Sequence, residues 1–383
     1  AVKRWRSALA AGLGALGATG CAQWGSVDGA GYYWQSISGH VDLLQRARPV
    51  DDWLAAADTG EPLRRRLQAA RGLRAYASEA LALPDNASYR RYAELGRPSV
   101  VWNVVAAPAD SLQLKTWCFP VMGCVSYRGY FSEATARRLG ERLAHEGWEV
   151  DVYGVPAYST LGWTNWLGGD PLLSTFIRGS DTELARLMFH ELAHQVVYIA
   201  DDTAFNESFA TAVERLGVAQ WLAERGDAAQ ARAWAAQEAR RGQWRALLAA
   251  TRAQLRAVYE PNGRERQEKP PRAATKMEAY AEFRARYADL RARWVREAPP
   301  GTDTTRGGWA RLDDWVARAN NASLGAQGVY DDHVAAFTRL FERQDAPAAT
   351  PERWRRFYDA VRQLGALPKA ERAARLAELS ATS

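Results

Sequence analysis

HELAHQ (190–195) and FNESFATAVE (205–214) lie in one run of helical periodicity that begins at Ser180. These two segments decide how the chain is read. Ser180 and Glu183 form a capping box, which predicts a helix start at 180. His190 and His194 stand at i and i+4, so both imidazoles project from one helix face and can converge on one ion. Glu191 sits beside that face, where a carboxylate can take a proton from a metal-activated water. The bland alternative is a surface histidine pair on an ordinary helix. Two facts weigh against it: the chain has only five histidines, and Phe189, Leu192, Ala193, Val196 and Val197 supply the apolar flanks of a buried helix.

A zinc site with catalytic chemistry needs a third protein ligand and an open position. Glu207 and Glu214, both on the next predicted helix, compete for the ligand role. Asp201-Asp202-Thr203 reads as a turn and N-cap, which makes the two helices a short antiparallel hairpin. With the first helix ending near Ala200, His194 lies about 9 Å from the hairpin end, Glu207 about 6 Å and Glu214 roughly 16 Å. Rise therefore favours Glu207 as ligand. It leaves Glu214 to support the ligands from behind by orienting an imidazole through its outer nitrogen. A solvent-facing carboxylate is the plain alternative for Glu214. The interval from His194 to Glu214, 20 positions, also keeps Glu214 open as the ligand itself.

Outward from this hairpin, residues 28–80 read as helices, with 63–81 the clearest, and LPDNASY (83–89) as a turn. Strand patterns follow at 99–107, 123–131 and 148–160, with a helix at 132–147 and a loop at 161–171. From Ser180 the chain reads as helical nearly to its end, including one long helix over 221–259, a polar loop at 261–271 and a helix over 277–294. The expected class is α+β, mostly helical. Its expected parts are a helical segment at 22–90, a sheet-containing subdomain at 91–180 and a helical catalytic subdomain at 181–383, forming one compact unit.

The N-terminal 21 residues carry Lys3, Arg4 and Arg6, then an apolar small-residue run ending in Ala18-Thr19-Gly20-Cys21. This pattern looks like a bacterial lipoprotein signal, with Cys21 as the lipidated residue and membrane anchor. A plain secretory signal is the alternative. The expected location is the periplasmic side of a bacterial membrane. In such an oxidising compartment Cys118 and Cys124, in WCFPVMGC, are candidates for a disulfide, and Pro120 and Gly123 can turn the chain between them. A loop that short stabilises by only about 2 kcal/mol. The net charge of +6 does not cluster: arginines are scattered, and acidic residues sit among them on the helical stretches. That reads as solvated helix faces, and nucleic-acid binding is not expected.

HELAHQ followed by a glutamate on the next helix resembles the gluzincin peptidases, which have a thermolysin-like zinc-helix core. FNESFATAVE is similar to the Asn-Glu-Gly-Phe-Ala segment of zinc aminopeptidases related to leukotriene A4 hydrolase. This resemblance implies Glu207, preceded by Asn206, as the third ligand, with Asn206 and Glu214 in supporting roles. Over most of its length the chain resembles a bacterial family of predicted zinc aminopeptidases, often lipoproteins. The matching stretches are YYWQSISGHVDLL (32–44), LPDNASY, VVWNVVAAP, TWCFPVMGCVSYRGYF, AYSTLG, HELAHQ, FNESFA and NNASLGAQGVYDDHVAAF (320–337). The resemblance implies a peptide substrate and zinc. One departure concerns the free amine. The Gly-Ala-Met-Glu-Asn segment of gluzincin aminopeptidases has no counterpart in AYSTLGWTNWLGG (157–169), which contains no Glu, and Asp170 or another carboxylate would have to bind the amine. For the developing oxyanion, Tyr330 is the candidate donor, with His333 nearby; a core tyrosine on a helix is the plain reading. The competing functions are a non-catalytic envelope lipoprotein with a structural zinc, and a hydrolase of cell-wall peptides.

Overall fold

The computed structural model describes residues 27–119, 123–157, 169–200, 202–260, 272–299, 301–327 and 333–381. Cys21, Tyr330, most of AYSTLGWTNWLGG and the polar loop at 261–271 lie outside them. The class is α+β and mostly helical. The N-terminal third contains helices α1 (Val27–Arg46), α2 (Val50–Ala55) and α3 (Glu61–Glu79), with strands β1 (Arg48–Pro49) and β2 (Arg91–Ala93). Strands β3 (Val101–Ala107), β4 (Trp117–Phe119), β5 (Gly123–Val125) and β6 (Arg128–Tyr130) follow, then α4 (Glu133–His145), β7 (Glu149–Val155) and β8 (Leu172–Leu173). The rest is helical: α5 (Asp181–His194), α6 (Thr203–Arg225), α7 (Ala228–Tyr259), α8 (Arg272–Glu297), α9 (Gly308–Arg318), α10 (Asn321–Ala326), α11 (Val334–Glu342), α12 (Pro351–Gly365) and α13 (Lys369–Ala381).

The sheets are small. β3 is central between β6 and β7, antiparallel to both, and α4 lays Ala136, Leu139 and Leu143 over its Trp102, Val104 and Ala106. β2 joins β1 antiparallel and β8 parallel. β4 and β5 form a separate ribbon in which Cys118 faces Cys124, and the two are disulfide-bonded. The expected strand at 123–131 is therefore two strands in two sheets. Its alternation is continuous in sequence, but the disulfide ties residues 123–125 to β4 while residues 128–130 pair with β3.

The main core gathers α3, α5, α6, α11 and α12 around Leu67, Phe189, Phe205, Phe209, Phe337 and Trp354, all wholly enclosed. Phe337 meets Phe205 and Phe209 edge-on, with centroids 5.1 and 5.8 Å away, an arrangement favoured by the ring quadrupoles. The helix expected over 221–259 is interrupted. Gly226 adopts φ 65°, a left-handed cap that any side chain would strain, and Asp227 then caps α7 by accepting from the Gln230 amide at 2.9 Å.

α5 and α6 pack closely where α6 carries no side chain. A Cβ on Gly217 would stand 2.8 Å from Leu81 Cδ1 and 3.0 Å from Phe189 Cδ2. Gly217→Val should overpack this contact and lower stability by about 1–3 kcal/mol. Urea denaturation reads the change as a lower midpoint; an unchanged midpoint would mean that the two helices separate there at no cost.

Candidate metal centre

The capping box expected at the start of α5 is present. Ser180 accepts from the Glu183 amide at 3.2 Å, and Glu183 accepts from the Ser180 amide at 3.2 Å. One face of α5 is apolar and enclosed by Leu184, Ala185, Met188, Phe189, Leu192 and Ala193. Another carries Arg186, His190 and His194 at spacings of four and turns them to α6. α6 answers with Glu207 and Glu214. His190 meets both carboxylates while His194, one turn later on α5, meets only the earlier Glu207, so the helices run antiparallel.

α5 ends at His194, not near Ala200. Asn206 explains the difference. Its side-chain Oδ1 accepts from the Ile199 amide at 2.8 Å, and its Nδ2 donates to the Ile199 carbonyl at 2.7 Å. This two-point clamp holds residues 197–199 as a non-helical connection and brings the first turn of α6 beside the end of α5. Asn206 is buried and supports the site through the backbone, not by touching an imidazole.

The cluster itself is tight. His190 Nε2 and His194 Nε2 are 3.2 Å apart, Glu207 Oε2 is 3.3 Å from His190 Nε2, and Glu207 Oε1 is 3.7 Å from His194 Nε2. Among the described residues, His190, His194 and Glu207 form the one group able to hold a metal ion. Glu214 stands behind His190: its Oε2 lies 3.0 Å from Nδ1, and its other oxygen accepts from Arg186 Nε. Both glutamates thus meet one imidazole, Glu207 on the inward nitrogen and Glu214 on the outward one. The outward nitrogen of His194 is buried and has no hydrogen-bond partner among the described residues.

The electrostatics follow from enclosure and pairing. Burial disfavours a charged His190, but hydrogen bonds to Glu207 and Glu214 outweigh it and raise its pKa to about 10. Burial takes His194 down to about 4 against the pull of Glu207, so this ring is neutral and its lone pair is available. Burial also opposes charge on both glutamates. Arg186 and His190 nevertheless hold Glu214 at about 2, and His190 and His194 keep Glu207 below the usual range.

Glu191 is half-buried, and its charge acts on His190 and on the enclosed Tyr89. Tyr89 ends the LPDNASY turn with φ 64°, an unusual conformation for a bulky residue, and its amide donates to the Asp170 carbonyl at 2.7 Å. The turn docks on the end of α5: Asn86 Nδ2 donates to Gln195 Oε1 at 2.7 Å, and Gln195 Nε2 to Ser88 Oγ at 3.2 Å. Asp170 is buried here, and its charge reaches His40 and Tyr89. On another side stands Tyr127, between β5 and β6. Although 38% of its surface is exposed, enclosure and then the charge of Glu207 push its phenol upward. Tyr153, Tyr198 and Tyr32 act electrostatically on the same phenol.

Arg186, Tyr89 and Tyr127 were not among the residues expected from sequence. Arg186 had a signal, lying one turn before His190 on the same face. The two tyrosines had none beyond their place in the family-like stretches LPDNASY and TWCFPVMGCVSYRGYF. His333 is within the described residues; its backbone amide donates to Ser208 Oγ at 3.2 Å, next to Glu207.

A sequence profile of the family described as "Putative aminopeptidase" matches residues 31–376, most of the chain. No curated protein and no solved structure matches it.

Glu207→Ala removes a donor from the cluster and should lose bound metal on dialysis. Glu214→Ala leaves the donors but frees the His190 ring, and should weaken metal affinity about 10–100-fold. Metal content by mass spectrometry after graded dialysis measures both. Full retention in Glu207→Ala with loss in Glu214→Ala would exchange their roles.

Proposed function

Because the chain belongs to the putative aminopeptidase family, we propose that it is a zinc-dependent peptidase of gluzincin type, acting as an aminopeptidase. His190, His194 and Glu207 are the ligands in this reading, and Glu191 is the general base. What carries the reading is the spacing of the donors. Zinc binds nitrogen and oxygen at about 2.0–2.1 Å in a tetrahedron, whose edges are then about 3.3–3.4 Å. The two imidazole nitrogens stand 3.2 Å apart, close to one such edge, and Glu207 approaches them with its two oxygens, Oε2 at 3.3 Å from His190 and Oε1 at 3.7 Å from His194, so the three side chains converge on one point. Three protein donors leave a fourth position, whereas structural zinc sites close with four and favour cysteine. The only cysteines among the described residues are bonded to each other. This weighs against a non-catalytic structural zinc.

Zinc bound there would supply Lewis acidity, polarising a carbonyl and lowering the pKa of water towards about 7. The chain's own groups do the rest. Glu191 takes the proton of the attacking water as the oxygen bonds to the scissile carbonyl carbon, and returns it to the leaving nitrogen as the carbon–nitrogen bond breaks. Glu214, fixed by Arg186, holds Nδ1 of His190 and so keeps Nε2 aimed inward. Tyr330 remains a proposed oxyanion donor.

Glu191→Gln should retain zinc and lose at least about 100-fold in peptide hydrolysis, while His194→Ala should lose both. Near-full turnover by Glu191→Gln would end the assignment of the base.

We place the protein on the periplasmic side of a membrane, anchored by lipid at Cys21. The exposed Cys118–Cys124 disulfide supports an oxidising compartment. No helix among the described residues is long and apolar enough to cross a membrane. Cys21→Ser should move the protein from the membrane to the soluble fraction; identical fractionation would exclude this anchor.

A further inference from the structure

The LPDNASY turn (83–89) ends in a conformation that its last residue does not favour. Tyr89 has φ 64°, in the left-handed region, where a bulky side chain is an outlier. A glycine would adopt this backbone freely. A strained residue persists only where its surroundings over-determine it, and such residues gather at functional sites. The surroundings of Tyr89 do this. Its amide donates to the Asp170 carbonyl at 2.7 Å. Ser88, just before it, is wholly enclosed and held through its amide, carbonyl and hydroxyl. The amide donates to Asn86 Oδ1 at 3.0 Å, and the carbonyl accepts from Arg74 Nε at 2.8 Å. The hydroxyl oxygen accepts from Gln195 Nε2 at 3.2 Å and from the Asp170 amide at 3.3 Å.

Two observations direct Tyr89 at Glu191. The first is where the turn docks. Gln195 caps α5 with helical backbone, φ −83° and ψ −11°, so it stands one turn after Glu191 on the same face. Helical side chains lean towards the N-terminus, so whatever Gln195 holds lies over the turn that starts at Glu191. Gln195 holds Asn86 and Ser88, at 2.7 and 3.2 Å, and Tyr89 is the next residue. The second is charge. Enclosure, and then the charges of Glu191 and Asp170, push the phenol well above its ordinary range against the pull of Arg74, so it stays O–H and can donate. Tyr89 belongs to the main core, but packing there needs only its ring. The hydroxyl is the part that packing does not require.

We propose that Tyr89 is a positioning residue for Glu191, its phenol O–H donating to the carboxylate when substrate is bound. The proposal rests on the peptidase reading above, in which Glu191 is the general base. A glutamate on a helix can occupy several staggered rotamers. A donor carried by a rigid turn selects among them, and a base acts only from within hydrogen-bond reach of the proton it takes. Tyr89 thus stands to Glu191 as Glu214 stands to His190. The strained turn sets where that donor lies.

Tyr89→Phe removes the hydroxyl and keeps the ring. It should lower kcat for trialanine about 10–100-fold, with KM and zinc content nearly unchanged. Tyr92→Phe, which removes the hydroxyl of an enclosed tyrosine bonded to Glu94 at 2.7 Å, should keep kcat. In a Glu191→Gln background Tyr89→Phe should cost less than about twofold more, because the residue it acts through is gone. Crystals of wild type and Tyr89→Phe grown with zinc and alanine hydroxamate give a readout without turnover. The phenol oxygen of wild type should lie within about 2.5–3.0 Å of a Glu191 oxygen, and the carboxylate should shift in Tyr89→Phe. An unchanged kcat, a loss shared by Tyr92→Phe or accompanied by loss of zinc, or a Glu191 carboxylate that stays in place without the hydroxyl overturns the proposal. A wild type that takes up neither zinc nor hydroxamate and hydrolyses no peptide overturns the peptidase reading instead, and the Tyr89–Glu191 contact in the same crystals still decides the positioning.

Discussion

The contact between Phe189 and the bare backbone of Gly217 fixes how near α6 approaches α5, and the His190–His194–Glu207 cluster depends on that approach. Two antiparallel helices can bring i, i+4 histidines and a facing carboxylate together only if their axes lie close and their register is set. Gly217 and the aromatic core around Phe209 set the distance. The Asn206 clamp on Ile199 sets the register, because it determines how many residues lie between His194 and the first turn of α6. Neither device touches a ligand atom, yet the donor spacings follow from both.

The charges around the cluster form a graded chain. Arg186 neutralises Glu214, Glu214 holds His190, and His190 faces His194 and Glu207. A buried carboxylate is costly unless paired, and this one has two partners. The asymmetry between the imidazoles is the consequence. His190 is pulled towards its protonated form by two glutamates, whereas His194 is neutral. Metal binding needs unprotonated imidazoles, so the pull of the two glutamates on a His190 proton would couple the affinity of such a site for metal to pH.

The sequence was most informative where structure is local. Ser180 and Glu183 announced the start of α5 because a capping box involves only four consecutive residues. Glu207 and Glu214 both looked like ligands, and the reason is physical: both do reach His190, one on each nitrogen. Local sequence lets α5 run on to Ala200, six residues past its end at His194, because nothing nearby stops it; the Asn206 side chain does so from the next helix. The break at Gly226-Asp227 had its signals, but the helical composition on both sides masked them. Likewise GCVSYRGYF alternates as one strand would, and only the pairing partners divide it. Tyr89 and Tyr127 reach the site from turns remote in sequence, and no spacing rule connects them with HELAHQ.

The central claim is that one ion is held jointly by α5 and α6. Anomalous scattering collected on either side of the zinc edge, from crystals of the untreated protein, locates it most directly. A single strong zinc peak is expected within about 2.0–2.2 Å of His190 Nε2, His194 Nε2 and a Glu207 oxygen, with Glu214 on the far side of His190. A peak coordinated by Glu214 in place of Glu207, or no zinc peak between the two helices, would contradict it.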